Sequence, residues 1–225
     1  MSVSDLSASS QNYLKAVWTL QEWSDEAVTL STLAERAGVR LSTASEAVRR
    51  LTDQGLLEHT PYGAIALTPE GRSYAVAMVR RHRLIESFLV MTLGYRWDQV
   101  HDEAEALEHA VSDFMIDRID EHLGFPTRDP HGDPIPGVDG EVTQPDAVLL
   151  TDIPLGSRVR VERIADADPV LLQYLEEHGV GFGTLLDTRP GAPYSDSIEV
   201  VVAETGAVLA LGRSATDALW GIASD

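Results

Sequence analysis

"VTLSTLAERAGVRLSTASEAVRRLTDQGLL", residues 28–57, is the stretch that decides the fold. Thr29 or Ser31 can cap a short helix carrying Leu33, Ala34 and Ala37, and Gly38 can end it. A turn over residues 38–41 follows. Ser42 can then cap a second helix that sets Ala44, Val48 and Leu51 on one face. Glu46 precedes Arg50 by one turn, a favourable orientation for a helical ion pair, and Gly55 stops the run.

Working outward, "SQNYLKAVWTLQEW" (10–23) places Tyr13, Val17, Leu20 and Trp23 at helical spacing, with Ser9 or Ser10 as cap. On the other side the period changes to two. "LLEHTPYGAIALT" (56–68) gives Leu57, a turn around Pro61, Tyr62 and Gly63, then Ile65 and Leu67. Helix, short helix, tight turn, helix and hairpin is the order of a winged helix-turn-helix. On it, Ser42 to Gln54 is the recognition helix. Arg40, Ser42, Thr43, Ser45 and Glu46 face DNA, Arg49 and Arg50 reach phosphates or pair within the helix, and Tyr62 at the wing tip touches the backbone.

Beyond the hairpin, Thr68 can cap and Pro69 begin a long helix (68–95) with Ala75, Met78, Val79, Ile85, Phe88, Leu89 and Thr92 in phase, ended by Gly94. Residues 97–124 read as another long helix, with Val100, Ala104, Leu107, Val111, Phe114 or Met115, and Ile119 inward. "FPTRDPHGDPIPGVDGEVTQPDA" (125–147) is a Pro-, Gly- and Asp-rich loop or linker. The last third changes character. Residues 157–164, 183–190, 197–204 and 207–212 read as short strands, 168–179 as an amphipathic helix, and 214–222 as a closing turn of helix, which suggests a small barrel. The expected fold is mainly α with small β parts: a winged helix-turn-helix over 1–73, a helical dimerisation and metal-binding domain over 74–140, a linker at 141–149 and a small barrel over 150–225.

The chain has 225 residues, a formal charge of -19, a pI near 4.6 and no cysteine. Disulfides and thiolate metal sites are excluded. No apolar run reaches the roughly 20 residues of a bilayer span, and no secretory signal is evident, so no membrane partner is expected and the cytoplasm is the default. So acidic a chain repels nucleic acid on average. Residues 33–51 are the local exception, with Arg36, Arg40, Arg49 and Arg50 against Glu35 and Glu46.

"HDEAEALEHAVSD", residues 101–113, crowds imidazoles among carboxylates. On a helix His101, Glu105, Glu108 and His109 share a face. Carboxylates held together repel unless a cation sits among them. The preceding helix offers His82 and Glu86 one turn apart, and the N-terminal helix offers Asn12 as a neutral oxygen donor. His59 and His178 read as surface residues, His122 as a helix C-terminal charge and His131 as a loop hydrogen-bonder.

Taken together, "RRHRLIESFL", "VHDEAEALEHAVSD" and "DPHGDPIPG" resemble the diphtheria toxin repressor family of metal-dependent transcriptional repressors, over nearly the whole chain. The resemblance implies a homodimer that binds double-stranded operator DNA, about two divalent ions per subunit, a C-terminal SH3-like or FeoA-like barrel, and control of metal-uptake genes. By position it implies a regulatory site of Asn12, Glu105, Glu108 and His109. A second site would take His82, Glu86 and His101, completed from the barrel by Asp166 or Asp168. The Glu105 position is Cys in the iron branch of the family and Glu in the manganese branch; the Asn12 position is Met in the first and Asp in the second. A hard carboxylate suits Mn(II), so manganese is the expected effector, with Fe(II), Co(II) and Zn(II) as ions that bind in vitro.

Two other readings fit parts of the sequence. One is a winged-helix regulator that senses a small organic ligand. The other is a helical di-metal enzyme, disfavoured because the chain has neither HExxH nor the Glu-x-x-His pairs of di-iron bundles.

Overall fold

A computed structural model describes residues 3–59 and 63–224. Tyr62 and the wing-tip role expected of it lie outside the described residues. The chain divides into two compact units: residues 1–85, 105–121 and 136–142 form the first, and residues 86–104, 122–135 and 143–225 the second.

In the first unit, α1 (Ala8–Glu22), α2 (Leu30–Arg36) and α3 (Leu41–Asp53) precede a hairpin of β1 (Leu57–His59) and β2 (Ile65–Leu67). Ser7, not Ser9 or Ser10, caps α1 by accepting from the Ser10 amide. Thr29 caps α2 in a reciprocal box with Thr32. Gly38 takes φ +63, which lets the chain turn from α2 into α3 at no Cβ cost. Arg40 occupies the N-cap of α3 without a side-chain hydrogen bond, so Ser42, expected as the cap, lies inside the helix. β1 and β2 pair antiparallel with Leu57 opposite Leu67. The core joins Leu14 and Val17 of α1, Leu33 of α2, Val48 and Leu51 of α3, Ile65 of β2, and Ala75 and Met78 from the helix that follows.

That helix, α4 (Pro69–Leu93), is continuous, and Thr68 caps it through the Gly71 amide. The single helix expected over residues 97–124 is two: α5 (Val100–Leu107) and α6 (Asp113–His122). Two contacts mark the break. Arg81 donates to the Glu108 carbonyl at 3.0 Å, occupying an acceptor that a continuing helix would need. Ser112 then opens α6, its hydroxyl accepting from the Met115 amide. The restart shifts the phase. Ile116 and Ile119 are buried, whereas Phe114 and Met115, one of which was expected inward, are 72% and 45% exposed.

The second unit holds a six-stranded antiparallel sheet in the order β3-β8-β4-β5-β6-β7. Its strands are β3 (Val148–Leu149), β4 (Arg158–Ile164), β5 (Leu185–Pro190), β6 (Ile198–Val202), β7 (Val208–Leu211) and β8 (Leu219–Ser224), with α7 (Pro169–Glu177) and α8 (Arg213–Thr216) between them. The stretch expected as a closing helical turn yields only α8. Its remainder is β8, which lies between β3 and β4. Val159, Val161, Ile164, Leu172, Leu186, Val200 and Leu209 pack inside.

The Pro- and Gly-rich segment is irregular, as expected, yet Asp129, residues 131–136 and the His131 side chain are buried rather than loose. The His131 carbonyl accepts from the Ile164 amide at 2.9 Å. Gly132 takes φ +94, and a Cβ there would fall 2.2 Å from the Glu162 carbonyl oxygen, so only glycine lets this segment lie against β4.

Candidate metal centre and nucleic-acid interface

The helix break sets the geometry of the first acidic group. Glu105 ends its turn on α5, while Glu108 and His109 sit in the turn after it and not, as the spacing suggests, on one continuous helical face. Glu108 is fully buried and is the hub. Its Oε1 accepts from Lys15 Nζ at 2.6 Å, and its Oε2 meets His82 Nδ1 at 2.6 Å. The same ammonium donates to Glu105 Oε1 at 2.7 Å. His82, Glu105 and Glu108 each bring one donor atom within 4.8 Å of the others.

α1 approaches this group through Gln11 and Lys15, one turn apart on the same face. The buried Gln11 amide nitrogen donates to the Val3 and Leu6 carbonyls at 2.7 and 2.9 Å. Its oxygen must therefore accept, and it does so from His109 Nδ1 at 2.6 Å. That leaves His109 Nε2 as the ring nitrogen facing the hub, 3.6 Å from Glu108 Oε1. Gln11 thus fixes the tautomer and the ring orientation a metal ligand requires. Asn12, expected as the oxygen donor from this helix, lies exposed on α1. Gln11 and Lys15 had no sequence signal beyond sharing a helical face with each other.

The second unit carries another group. His101 Nδ1 meets Asp166 Oδ2 at 2.8 Å and Glu86 Oε1 at 3.6 Å. Hydrogen bonding to Asp166 and then to Glu86 outweighs burial and raises the His101 pKa to about 10. Of the two aspartates considered from the barrel, Asp166 is the one at His101. Asp168 is engaged as the N-cap of α7, accepting from the Val170 and Leu171 amides. Glu86 follows His82 by one turn of α4.

Glu86, Asp129 and His131, all buried, also converge, each with a donor atom within 4.8 Å of the others. His131 Nε2 donates to the Trp97 carbonyl at 2.9 Å, and Trp97 stacks on the ring at 5.6 Å and 20°. Nδ1 is left as the atom offered to the acidic group; it is buried with no hydrogen-bond partner. Burial opposes protonation of this ring, but the charges of Glu86, Asp129 and Asp166 together outweigh it and raise its pKa. Asp129 is held by the His131 and Asp133 amides, both at 2.9 Å on Oδ1. The expected loop hydrogen bond of His131 is thus present, but the residue also belongs to a convergent donor group. The Asp-x-His spacing next to glycine was its only sequence signal.

Both groups consist of carboxylate oxygen and imidazole nitrogen, and an orphaned buried His131 Nδ1 points into one of them. That donor chemistry fits a hard divalent cation.

The surface of α3 divides cleanly. Ala44, Ala47, Val48 and Leu51 are buried, whereas Arg40, Ser42, Thr43, Ser45, Glu46, Arg49 and Arg50 are exposed. A helix anchored by small apolar residues and presenting hydroxyls and guanidinium groups outward has the form of a major-groove reader.

Comparisons with known proteins cover the same segments in the same order. Residues 5–65 match the iron dependent repressor N-terminal DNA binding domain, residues 68–137 the iron dependent repressor metal binding and dimerisation domain, and residues 148–221 the FeoA domain. The diphtheria toxin repressor of Corynebacterium glutamicum is 36% identical over 195 residues, covering 81% of this chain and 84% of that one. The iron-dependent repressor IdeR of Mycobacterium tuberculosis is 37% identical over 205 residues, covering 84% and 88%. A solved manganese-dependent transcriptional repressor in complex with manganese superposes with a TM-score of 0.91 at 51% identity, covering 96% of this chain and all of that one. With every segment matched and relatives aligned over most of both lengths, the chain belongs to the diphtheria toxin repressor family and is a metal-dependent transcriptional repressor, not an enzyme.

Proposed function

We propose that Mn(II) is the effector and that this protein, as a homodimer, represses metal-uptake genes when the ion is bound. One observation carries the choice of metal: the buried Glu108, with Glu105 and His109 beside it, in a chain without cysteine. All its donors are hard or borderline, whereas a thiolate would favour later or softer ions. The likeness to the manganese-bound repressor supports the same choice, although IdeR is named for iron.

In this reading Glu105, Glu108 and His109 hold the regulatory ion, with Asn12 brought in from α1. His82, Glu86, His101 and Asp166 serve a second ion, and Asp129 and His131 present further donors to Glu86; two ions per subunit is the proposed loading. The ion supplies positive charge and a multidentate cross-link. The residues do the rest. Glu108 ties the turn after α5 to α1, which packs in the same core as α3. Gln11 holds the His109 ring in register. α3 then offers Ser42, Thr43, Ser45 and Glu46 to base edges and Arg40, Arg49 and Arg50 to phosphates.

The test uses DNA fragments enriched from random sequence by the Mn(II)-loaded protein. Removing Mn(II) with a chelator should weaken binding roughly 5- to 150-fold, the usual span of an allosteric coupling. Glu105→Ala and His109→Ala should abolish that response while leaving the circular dichroism spectrum unchanged. Full Mn(II) response in both variants would refute the assigned regulatory seat. Binding indifferent to every divalent ion would favour an organic effector.

A further inference from the structure

Lys15 contributes one of the two shortest polar contacts to the hub carboxylate, His82 the other. Its side chain is 11% exposed, that of Glu108 is 0% exposed, and Nζ lies 2.6 Å from Glu108 Oε1 and 2.7 Å from Glu105 Oε1. These are charge-assisted distances, and they place one ammonium between two carboxylates. A divalent cation binding the same two oxygens would sit at about 2.0–2.6 Å from each. Both cations would draw on the same two oxygens, so an ammonium bonded to both competes with the ion for them.

The charge balance favours exchange over coexistence. Lys15 brings one positive charge to the two carboxylates, and a divalent ion in its stead brings two. With both present, three positive charges would crowd around Glu108, which is fully buried, and charge crowded in such a place is unfavourable. Lysine suits such an exchange. Its head is a point charge on a flexible four-carbon stem, which can withdraw to solvent without moving the backbone of α1.

We propose that Lys15 is a tethered counter-cation: its ammonium holds the Glu105–Glu108 pair in the metal-free protein and must leave before a divalent ion can take both carboxylates, so this one side chain sets the ion concentration at which the protein responds. The proposal rests on the regulatory seat assigned above and goes beyond it, because Lys15 is a competitor of the ion and not a ligand. A seat that Lys15 occupies nine-tenths of the time binds its ion roughly tenfold more weakly, and one occupied ninety-nine hundredths of the time roughly a hundredfold.

The experiment compares wild type, Lys15→Met and Lys15→Arg. Mn(II) affinity is measured by competition with a chelating dye, and the melting temperature with and without Mn(II). Lys15→Met should bind Mn(II) roughly tenfold or more tightly. Its metal-free form should melt lower than wild type, and its Mn(II)-induced rise should be larger. Lys15→Arg, which keeps the charge, should bind no more tightly than wild type. If Lys15 is only a structural prop, Lys15→Met will melt lower by the same amount with and without Mn(II), at unchanged affinity, and the proposal falls. Should wild type itself fail to bind Mn(II), the regulatory seat falls and the proposal with it. Should wild type bind and Lys15→Met bind no better, only the role of Lys15 is lost.

Discussion

The two acidic groups solve the same electrostatic problem with different cations. Around Glu108 the positive charge is a lysine ammonium, held at 2.6 Å. Around Glu86 it is a proton on His101, whose pKa is raised to about 10 by Asp166 and Glu86. Both neutralisers come from the chain itself. The difference teaches that the first group is closed by a side chain on a flexible stem, while the second is closed by a proton and so answers to pH.

The largest expected effect is at the hub. Glu108→Gln removes the fully buried charge that Lys15 and His82 share and leaves the ammonium only Glu105, whose side chain is 42% exposed. Breaking a buried pair in this way costs about 3–5 kcal/mol, so the midpoint of urea unfolding should drop sharply and Mn(II)-dependent DNA binding should vanish. Near-normal stability would mean that Glu108 is not the hub, and the contrast between the two groups would lose its basis.

A smaller effect separates the groups by pH. His101 has a folded-state pKa above its ordinary value of 6.5, so the protonated form is favoured by folding. Its stabilising contribution in the metal-free protein is fully present below pH 6.5 and is lost as pH rises toward 10. The melting temperature of metal-free protein should therefore fall across that window, and His101→Gln should flatten the fall. A slope unaffected by His101→Gln would assign the pH dependence elsewhere.

The smallest effect tests which barrel aspartate matters. Asp168→Ala removes the α7 cap and should cost about 1 kcal/mol, with the number of bound ions, counted by native mass spectrometry, unchanged. Asp166→Ala should instead weaken the second ion. The reverse pattern would exchange their roles.

Where local physics dominates, the chain is legible from its residues. Gly38 and Gly55 punctuate the helix-turn-helix, and Ala44, Val48 and Leu51 declare the buried face of α3. The strand at 158–164 follows from alternation. What failed did so because tertiary partners overrode local preference. Residues 97–124 have helical spacing throughout, but α5 gives way to a turn where Arg81, from another helix, donates to the Glu108 carbonyl. β8 carries two small residues, Gly221 and Ala223, that weaken its strand signature, and it is fixed by pairing with β3 and β4. The histidines and carboxylates of the site were visible as a cluster at helical spacing. Gln11, Lys15 and Asp129 were not, since each acts through a partner 90 or more residues away or through a buried loop.

The interruption after Leu107 gives the ligand set a breadth that a straight rod would lack. Glu105 rides on a regular helix, whereas Glu108 and His109 ride on the turn that follows, so the three do not keep the fixed rise and rotation of one helix. An ion held by all three would meet donors from two backbone geometries, and their spacing would be set by the turn as much as by the helix.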